Sequence, residues 1–390
     1  HEGVDLTDSI MIASIDAAKT KSVALFSLPR DLYFLSTEQM GKGRINSLYR
    51  DYKYYLIKRG ATKEEASQQA LKELGKEVGK ALGAEIHAVI KVDFVAFVQA
   101  VDELGGVDVV VPEDLVDPEY PGPNYTYQTF SITAGPHHLD GETALKYARS
   151  RHSTSDFSRS ARQQQLMKAI GDNVSSAGML SRPGQILSLL NIIQQHTEMT
   201  ITTGDILSLA KAGLDIDPHN IISQQLTSDN GLYGSLGSAG GLLYSPPREQ
   251  FEGASILLPV SIPEFPVTWR QVRLFIHFFF DVRTPYLARH SVTILNAGAK
   301  SGSARKLAGE LTRFGLIVDE TQNADIGDVP VSFIGSQTTD PETEQFVAAI
   351  TGMDVRPLPV GIDPAKLGQI TIILGEDYVY HPLQDFAPKE

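Results

Sequence analysis

Six basic residues and one acidic residue occupy the stretch between residues 146 and 168 of a chain that is otherwise acidic. The whole chain carries 34 Lys and Arg against 47 Asp and Glu, a net charge of -13. Most of the six are arginines, whose planar guanidinium binds phosphate bidentately. The stretch therefore predicts a local site for a phosphate-type anion; a solvated helix face that pairs with surface carboxylates is the alternative. Its basic members are Lys146, Arg149, Arg151, Arg159, Arg162 and Lys168.

Two details of this basic stretch favour anion binding. Arg149 and Arg151 alternate as in an extended segment, which would direct both side chains to one face. Residues 163–165 (QQQ) add neutral donors one helical turn beyond Arg159, close to a predicted helix N-terminus that itself attracts anions. Asp156 is the only acidic residue in the stretch, so it is a candidate for a general base or for a group that orients the acceptor. A structural salt bridge to one of the neighbouring arginines is an equally simple role for it.

Two further charged residues stand where predicted strands begin and end. Residues 22–27 predict a buried strand that runs into Pro29, Arg30 and Asp31, and ligands of open α/β sheets bind at the carboxyl ends of strands. Asp8 opens the first predicted strand, where its carboxylate could bind Mg²⁺ together with substrate phosphates. Taken alone, Arg30 fits an ordinary loop salt bridge and Asp8 a strand-start cap.

The elements that would position these residues alternate between strand and helix, which predicts an α/β domain with a central β-sheet flanked by helices. The clearest helix follows a possible cap at Thr62, has apolar residues every fourth position and ends at Gly83. We predict strands at 9–15, 22–27, 86–92 and 107–111, helices at 62–82, 94–104, 141–147, 160–175, 185–194, 203–212 (with Thr203 as cap) and 272–281, and loops at 114–135 and 228–250.

The pattern of predicted strands and helices changes after Pro285, and a second, smaller domain is predicted there. Its order is β-α-β-β-α-β, which is enough for an independent domain. We therefore predict a catalytic domain over residues 1–286 and an accessory domain over residues 287–390. The elements of the second domain are predicted at 292–295, 302–314, 316–318, 331–334, 342–350 and 370–374.

Composition excludes several classes of function. Hydrophobic residues make up 42% and charged residues 21% of the chain, as in ordinary globular proteins. The chain has 0 cysteines, which excludes disulfides, thiolate catalysis and Cys-ligated metals. The acidic net charge and the lack of a basic recognition helix argue against nucleic-acid binding. The longest apolar stretch, 274–280, is far shorter than the roughly 20 residues of a membrane-spanning helix.

Six ordered motifs lie in the first half of the chain. They are TDSIM at 7–11, SLPRD at 27–31, GRINSLY at 43–49, LGGVDV at 104–109, LDGETALKYARSR at 139–151, and DFSR with RQQ at 156–164. Together they resemble the LytR-CpsA-Psr family, although each alone would be weak. Residues 292–298 (VTILNAG) and 301–304 (SGSA) are similar to the LytR C-terminal accessory domain, so the resemblance covers nearly the whole chain and thins between about 176 and 288.

The resemblance implies a bacterial cell-envelope phosphotransferase. Such proteins move a glycopolymer from polyprenyl pyrophosphate to peptidoglycan through a phosphodiester, holding the lipid tail in an apolar tunnel. It also implies a cell-membrane location, with one N-terminal helix upstream of this chain and the chain itself outside the cytoplasm. Carried over by motif, Asp8 would bind Mg²⁺, Asp156 would act at the reacting centre with Arg30 and Arg159, and the pyrophosphate would be held by Arg30, Arg149, Arg151 and Arg159, assisted by Gln163 or Gln164.

The sequence departs from the family pattern at three points. Leu6 stands where the family often has an arginine two residues before the metal-binding aspartate, and Ser158 replaces a glycine before Arg159. The family's other metal carboxylate lies upstream of the Asp8 motif, before this chain begins. A depleted metal site would also suit a different function, that of a non-catalytic scaffold that binds polyprenyl phosphates or glycans. A pyrophosphatase side activity, with water as acceptor, would use the same site.

Apolar residues between 89 and 101 have two interpretations. They could line the lipid tunnel that the resemblance implies, but packing in the protein core is the stronger interpretation, because sequence does not separate a tunnel wall from a core. The apolar residues in question are Val89, Ile90, Phe94, Phe97, Val98 and Val101.

The four arginines of the proposed pyrophosphate site should converge on one pocket despite their separation in sequence.

Overall fold

The computed structural model describes residues 5–122, 126–150, 156–176, 183–214, 216–228, 241–260, 268–326, 329–336, 341–364, 367–381 and 383. Side chains are described for these residues except 156–158, 175–176, 183, 186–187, 214 and 218. The chain divides by its contacts into two compact units, His1–Lys80 with Glu85–Gln225, and Ala81–Ala84 with Leu226–Glu390. The domain boundary between residues 286 and 287 stays a prediction.

The first unit alternates strands and helices, as the sequence predicts. Its strands are β1 (Ile10–Asp16), β2 (Ser22–Leu28), β3 (Tyr33–Phe34), β4 (Gly43–Arg44), β5 (Ile90–Val92), β6 (Val107–Val111), β7 (Leu115–Pro121), β8 (Tyr127–Ile132), β9 (Gly135–Leu139), β10 (Thr197–Met199) and β11 (Ile221–Gln225). Its helices are α1 (Ile45–Lys58), α2 (Lys63–Leu82, whose last two residues fall in the second unit), α3 (Phe94–Glu103), α4 (Gly141–Arg149), α5 (Asp156–Ser176), α6 (Pro183–His196) and α7 (Thr203–Leu214).

A three-stranded sheet in the order β1-β2-β11 lies at the centre of the first unit. β1 is antiparallel to β2, with Ile10 opposite Leu28, while β11 is parallel to β2, with Ile221 opposite Val23. β2 is buried along most of its length because it has a neighbour on both edges. The carboxyl end of β2 leads directly to Arg30, so this arginine is positioned by the strand that is paired on both edges.

The loop predicted at 114–135 is wrong, because this segment forms an antiparallel hairpin of β7 and β8. Its Pro, Tyr and Asp content suggested irregular structure, yet Leu115, Asp117 and Tyr120 are buried. Pro118 lies within a register shift between Asp117 and Tyr120, and a bulge tolerates a proline because the ladder hydrogen bond is already interrupted there.

Three smaller expectations also need correction. Arg149 is the last residue of α4 and is helical rather than extended. The side chain that caps α7 is that of Thr202, whose Oγ1 accepts a hydrogen bond from the Asp205 amide at 3.2 Å, and not that of Thr203. The strand predicted at 86–92 is reduced to Ile90–Val92. The cap predicted at Thr62 is confirmed, because its Oγ1 accepts from the Glu65 amide at 3.2 Å.

The second unit contains a five-stranded sheet. The predicted β-α-β-β-α-β order is present, with one additional short and exposed strand before the last one. The strands are β12 (Leu243–Tyr244), β13 (Leu258–Pro259), β14 (Ser291–Asn296), β15 (Ile317–Asn323), β16 (Phe333–Ser336), β17 (Asp354–Pro357) and β18 (Ile370–Leu374), and the sheet order is β15-β14-β18-β16-β17. The helices are α8 (Arg270–His277), α9 (Thr284–Ala288), α10 (Ser303–Arg313) and α11 (Pro341–Thr351).

The most apolar stretch of the sequence belongs to the core of this second unit. α8 continues into a π-helical turn, Phe278–Val282, whose three phenylalanines are buried. The Phe278 and Phe346 rings meet edge to face at 5.1 Å, and Phe279 meets Tyr286 at 5.2 Å. Such edge contacts are favoured by the aromatic quadrupole. Within the described residues, no helix combines the length and apolar character that crossing a membrane requires.

Candidate functional site

Asp8 lies at a meeting point of three separate parts of the first unit. Its Oδ1 is 3.3 Å from Nη1 of Arg30 and 3.5 Å from Nδ2 of Asn46. The segment that carries Asp8 is fixed beside α1, because the Thr7 amide donates to the Asn46 carbonyl at 3.0 Å. The Asn46 amide in turn donates to the Arg30 carbonyl at 3.4 Å. The residues before β1, after β2 and at the start of α1 are thus tied together.

Arg159 reaches the same point from α5. The residue is buried, and its Nη2 donates to the Asp8 carbonyl oxygen at 3.4 Å. Two of the arginines predicted to share a site, Arg30 and Arg159, therefore both contact Asp8. Arg30 also lies 3.8 Å from Asp31, which pairs with Arg44 at 3.2 Å. The atom of Arg30 that faces Asp31 is Nε, which is buried and makes no hydrogen bond among the described residues.

Gln163 links the Asp8 region to the end of α4. Its Oε1 accepts from the Ser9 hydroxyl at 2.5 Å, and its Nε2 donates to the Ala148 carbonyl at 3.2 Å. One amide thus connects the residue after Asp8 with the residue before Arg149. Gln164 faces the sheet instead, where its Nε2 donates to the Ser27 hydroxyl at 2.9 Å and to the Gln224 carbonyl at 2.7 Å. The assistance of either glutamine in pyrophosphate binding stays a prediction.

Arg149 ends α4 and rests on two aromatic rings. Its guanidinium carbon is 4.2 Å from the ring centre of Phe94 and 5.7 Å from that of Tyr120. Its Nη1 also donates to the Tyr120 hydroxyl at 3.4 Å. Burial raises the pKa of Tyr120, an effect that the positive charge of Arg149 partly offsets. The phenol therefore stays neutral and serves as a hydrogen-bond acceptor.

Arg162 has a different environment from the other arginines of the basic stretch. It is buried, and its Nε and Nη2 donate to the carbonyls of Tyr147 and Ser150 at 2.9 and 2.5 Å. Its guanidinium also lies 5.7 Å from the centre of the Tyr147 ring. Carbonyls at a helix C-terminus lack intrahelical partners, and Arg162 supplies donors to them. This arginine thus braces the end of α4, just beside Arg149.

The structure also contains an ionic network that the sequence analysis missed. Asp5 is 3.0 Å from Nζ of Lys53 and 2.9 Å from Nζ of Lys91, and both lysines also face Glu198, at 3.6 and 3.4 Å. The Tyr49 hydroxyl donates to Glu198 as well. Burial raises the pKa of Asp5, but the hydrogen bonds and charges of Lys91 and Lys53 outweigh it, so the pKa lies below its ordinary value. The network anchors the chain three residues before Asp8.

Mg²⁺ at Asp8 is compatible with the donors present. Within the part of the chain that the structure describes, no group of three or more His, Cys, Asp or Glu is placed to hold a metal ion. Beside Asp8, however, the buried Oδ1 of Asn46 has no hydrogen-bond partner among the described residues. Carboxylate and amide oxygens are hard ligands, and Mg²⁺ commonly combines one or two carboxylates with substrate phosphates. The Asp8 carboxylate suits an ion shared with a phosphate, but the amide atom of Asn46 that faces it is Nδ2 and not Oδ1, and Mg²⁺ binding stays a prediction.

Two of the predicted site residues are not placed. Arg151 lies outside the described residues, and so does the side chain of Asp156, whose backbone begins α5. Of the apolar residues with two interpretations, Val101 is fully buried and Phe97 packs against the same core, as the core interpretation predicts. Ile90 and Phe94 differ, because they are 46% and 52% exposed and form an apolar surface rather than core.

Comparisons with known proteins agree on one family. Residues 1–246 match the profile of the LytR_cpsA_psr family, and residues 289–378 match one described as LytR cell envelope-related transcriptional attenuator. Over 334 residues, the chain is 27% identical to the cell wall biosynthesis protein LcpA of Corynebacterium glutamicum, with 82% of this chain and 60% of that protein covered. Over 233 residues, it is 28% identical to the polyisoprenyl-teichoic acid–peptidoglycan teichoic acid transferase TagV of Bacillus subtilis, with 55% of this chain and 54% of that protein covered.

One solved structure supports the fold. The crystal structure of Bacillus subtilis TagV matches with a TM-score of 0.50 at 23% identity, covering 72% of this chain and 92% of that chain. At this identity the likeness concerns the fold alone, and it confirms the predicted α/β class with a sheet flanked by helices. The chain spans 54% to 60% of the length of the two curated relatives described above.

Proposed function

This chain belongs to the LytR-CpsA-Psr family, and on that premise we propose that it transfers a glycopolymer from polyprenyl pyrophosphate to peptidoglycan. The relatives whose names mention cell wall biosynthesis or teichoic acid transfer support an envelope transferase of this general kind. We further propose a cell-membrane location, with an N-terminal helix upstream of residue 1 and this chain outside the cytoplasm. Lipid-linked glycans and peptidoglycan are both accessible there.

The observation that carries the proposal is the convergence of Arg30 and Arg159 on Asp8. These residues come from three parts of the chain, and they place two guanidinium groups beside one carboxylate. Phosphoryl transfer requires mainly positioning and neutralisation of charge on the phosphate oxygens, which arginines provide. Gln163 connects this point to the end of α4, where Arg149 offers a third guanidinium.

The chemistry balances as a displacement at phosphorus. The oxygen of a peptidoglycan hydroxyl attacks the phosphorus that bears the glycan, and the bond between this phosphorus and the bridging oxygen breaks. Polyprenyl phosphate leaves with the bridging oxygen, while the hydroxyl proton passes to a base, for which we propose Asp156. Mg²⁺, when bound by Asp8, would neutralise charge on the pyrophosphate. Arg30, Arg149, Arg151 and Arg159 hold the two phosphates, with Gln163 or Gln164 assisting.

A reconstituted transfer reaction tests this function. The protein, a polyprenyl-pyrophosphate-linked oligosaccharide, Mg²⁺ and isolated peptidoglycan are combined, and glycan that becomes covalently attached to the peptidoglycan is measured beside lipid binding. Arg30→Ala and Arg159→Ala should each weaken binding roughly ten- to a hundredfold, since a charge-assisted contact contributes about 1.5–3 kcal/mol. Arg59→Ala, an exposed arginine at the end of α1, is the matched control and should change neither quantity.

The outcomes separate the candidate functions. Asp156→Asn keeps the size of the side chain but removes its charge, so it should retain lipid binding and lose transfer. Release of polyprenyl phosphate without attachment of glycan would indicate a pyrophosphatase that uses water as acceptor. Binding of the lipid by the unmutated protein without any turnover would replace the transferase with a non-catalytic scaffold. Absence of lipid binding by the unmutated protein would overturn both functions.

A further inference from the structure

Arg149 is held by aromatic side chains. Among the side chains that the structure describes, no carboxylate lies within ion-pair distance of it, although the chain as a whole is rich in Asp and Glu. Its guanidinium lies 4.2 Å from the centre of the Phe94 ring and 5.7 Å from that of Tyr120, whose hydroxyl accepts from Nη1 at 3.4 Å. The arginine is thus held chiefly through the face of its planar group.

The type of partner decides what an arginine can still bind. A carboxylate occupies the edge of the guanidinium, where the N–H donors point, and cancels its charge. An aromatic ring attracts the flat face through its quadrupole and leaves the edge donors and the full charge available. Phe94 therefore fixes the face of Arg149 and leaves its edge donors to an anion, except that the Tyr120 hydroxyl accepts from Nη1.

Both rings stand on well-fixed supports. Tyr120 is 4% exposed and packs against Phe130, with ring centres 6.0 Å apart, so its ring is fixed by packing. Phe94 is the first residue of α3, whose start is capped by the Asp93 carboxylate accepting from the Ala96 amide at 2.7 Å. It is 52% exposed, so its ring meets Arg149 near the protein surface.

The two helices that carry the ring and the arginine are joined closely. The Gly141 amide at the start of α4 donates to the Asp102 carboxylate at 2.7 Å. A Cβ atom at Gly141 would lie 2.2 Å from the carbonyl oxygen of Val98, so only glycine allows this approach of α3 and α4. Phe94 and Arg149 are therefore presented by one tightly packed pair of helices.

We propose that Phe94 and Tyr120 are positioning residues that hold the guanidinium of Arg149 with its edge towards the pyrophosphate of the lipid carrier. The proposal rests on the proposed function, since it assigns Arg149 to pyrophosphate binding. Phe94 acts through Arg149 and not through contact with the reacting atoms. Its loss should therefore reduce the preference for a pyrophosphate over an uncharged lipid of the same length.

Paired binding measurements test this role. The affinities of the unmutated protein and its variants are measured for geranylgeranyl pyrophosphate and for geranylgeraniol, which lacks the charged group. Phe94→Leu should lower the affinity for the pyrophosphate about two- to tenfold, the range of a partly exposed cation–π contact, and leave that for the alcohol unchanged. Phe94→Trp should keep the affinity for the pyrophosphate at the level of the unmutated protein, because the indole ring offers a stronger cation–π face. Val95→Ala, the exposed neighbour on α3, is the matched control and should behave like the unmutated protein.

A double variant separates this proposal from the proposed function. If the unmutated protein binds the pyrophosphate and Arg149→Ala weakens it, the assignment of Arg149 stands, and Phe94→Leu should add no further loss of selectivity in the Arg149→Ala background. If Phe94→Leu lowers the affinities for the pyrophosphate and for the alcohol equally, Phe94 only contacts the lipid chain, and the positioning role is overturned. Unchanged selectivity in Phe94→Leu would overturn it as well. If Arg149→Ala has no effect, the assignment of Arg149 fails independently of Phe94.

Discussion

Replacement of Arg162 by leucine tests whether this arginine braces the protein or binds ligand. The side chain is 7% exposed and donates to the carbonyls of Tyr147 and Ser150. Leucine keeps the apolar part of the side chain, removes both donors and leaves two carbonyls near the end of α4 unsatisfied. We therefore expect a large loss of stability and, at a temperature where the protein remains folded, a smaller change in ligand affinity.

The magnitude follows from the two hydrogen bonds. Each bond to a charged donor contributes about 1.5–3 kcal/mol, so the pair gives an upper range of about 3–6 kcal/mol. Relaxation around the shorter side chain recovers part of this, which brings the expected loss to about 3–4 kcal/mol. A unit of this size loses about 2–4 °C in melting temperature per kcal/mol, so the transition should fall by roughly 10 °C.

Thermal unfolding followed by circular dichroism, together with geranylgeranyl pyrophosphate binding at low temperature, measures both effects. The melting temperature of Arg162→Lys should lie between those of the unmutated protein and Arg162→Leu, because an ammonium keeps the charge but lacks the planar group that spans both carbonyls. Lys168→Leu is the matched control, since it removes a positive charge from an exposed position of the same helix. A variant Arg162→Leu that melts like the unmutated protein yet no longer binds the pyrophosphate would refute the bracing role and make Arg162 a ligand contact.

Two further outcomes are expected. The lowered pKa of Asp5 in the folded state means that its ion pairs stabilise the protein above the ordinary aspartate pKa of about 3.9, and that this contribution is lost as the pH falls through the lower folded-state value. In urea unfolding, the stability difference between the unmutated protein and Asp5→Asn should be full at pH 7 and shrink in acid, and a gap of equal size at pH 7 and pH 2 would contradict the ionic role. The chain has 0 cysteines, so Val360→Cys supplies an exposed thiol that is the only one in these 390 residues, and the unmutated full-length protein is the labelling control. A membrane-impermeant maleimide should label it in intact cells, whereas labelling only after lysis would place the chain in the cytoplasm.

Local patterns in the sequence predicted much of the fold. The capping box of Thr62 and Glu65 involves residues three positions apart, and the strand at β6 follows from its own run of valines. The hairpin of β7 and β8 escaped prediction because its prolines and tyrosines resemble a loop. Its stability depends instead on pairing between strands and on the burial of Tyr120 and Phe130.

The features of the site also divide into those that a local sequence pattern predicts and those that depend on contacts between distant residues. The basic stretch lies on α4 and α5, but composition could not distinguish Arg162, which faces carbonyls, from Arg149, which faces rings. The aromatic partners of Arg149 lie 55 and 29 positions before it, and no periodicity connects them. The network of Asp5, Lys53, Lys91 and Glu198 is equally dispersed and becomes visible only when α1, β5 and β10 are placed together.

The close approach at Gly141 makes the position of Arg149 sensitive to the angle between α3 and α4. With a rise of about 1.5 Å per residue, Phe94 lies about 6 Å along α3 from the contact at Val98, and Arg149 lies about 12 Å along α4 from Gly141. A change of about 5° in this angle would displace the end of α4 by about 1 Å. The guanidinium lies 4.2 Å from the Phe94 ring centre, and cation–π attraction extends to about 6 Å, so such a displacement would use about half of the remaining margin. A residue without a side chain thus bears on how well the ring and the arginine stay in contact.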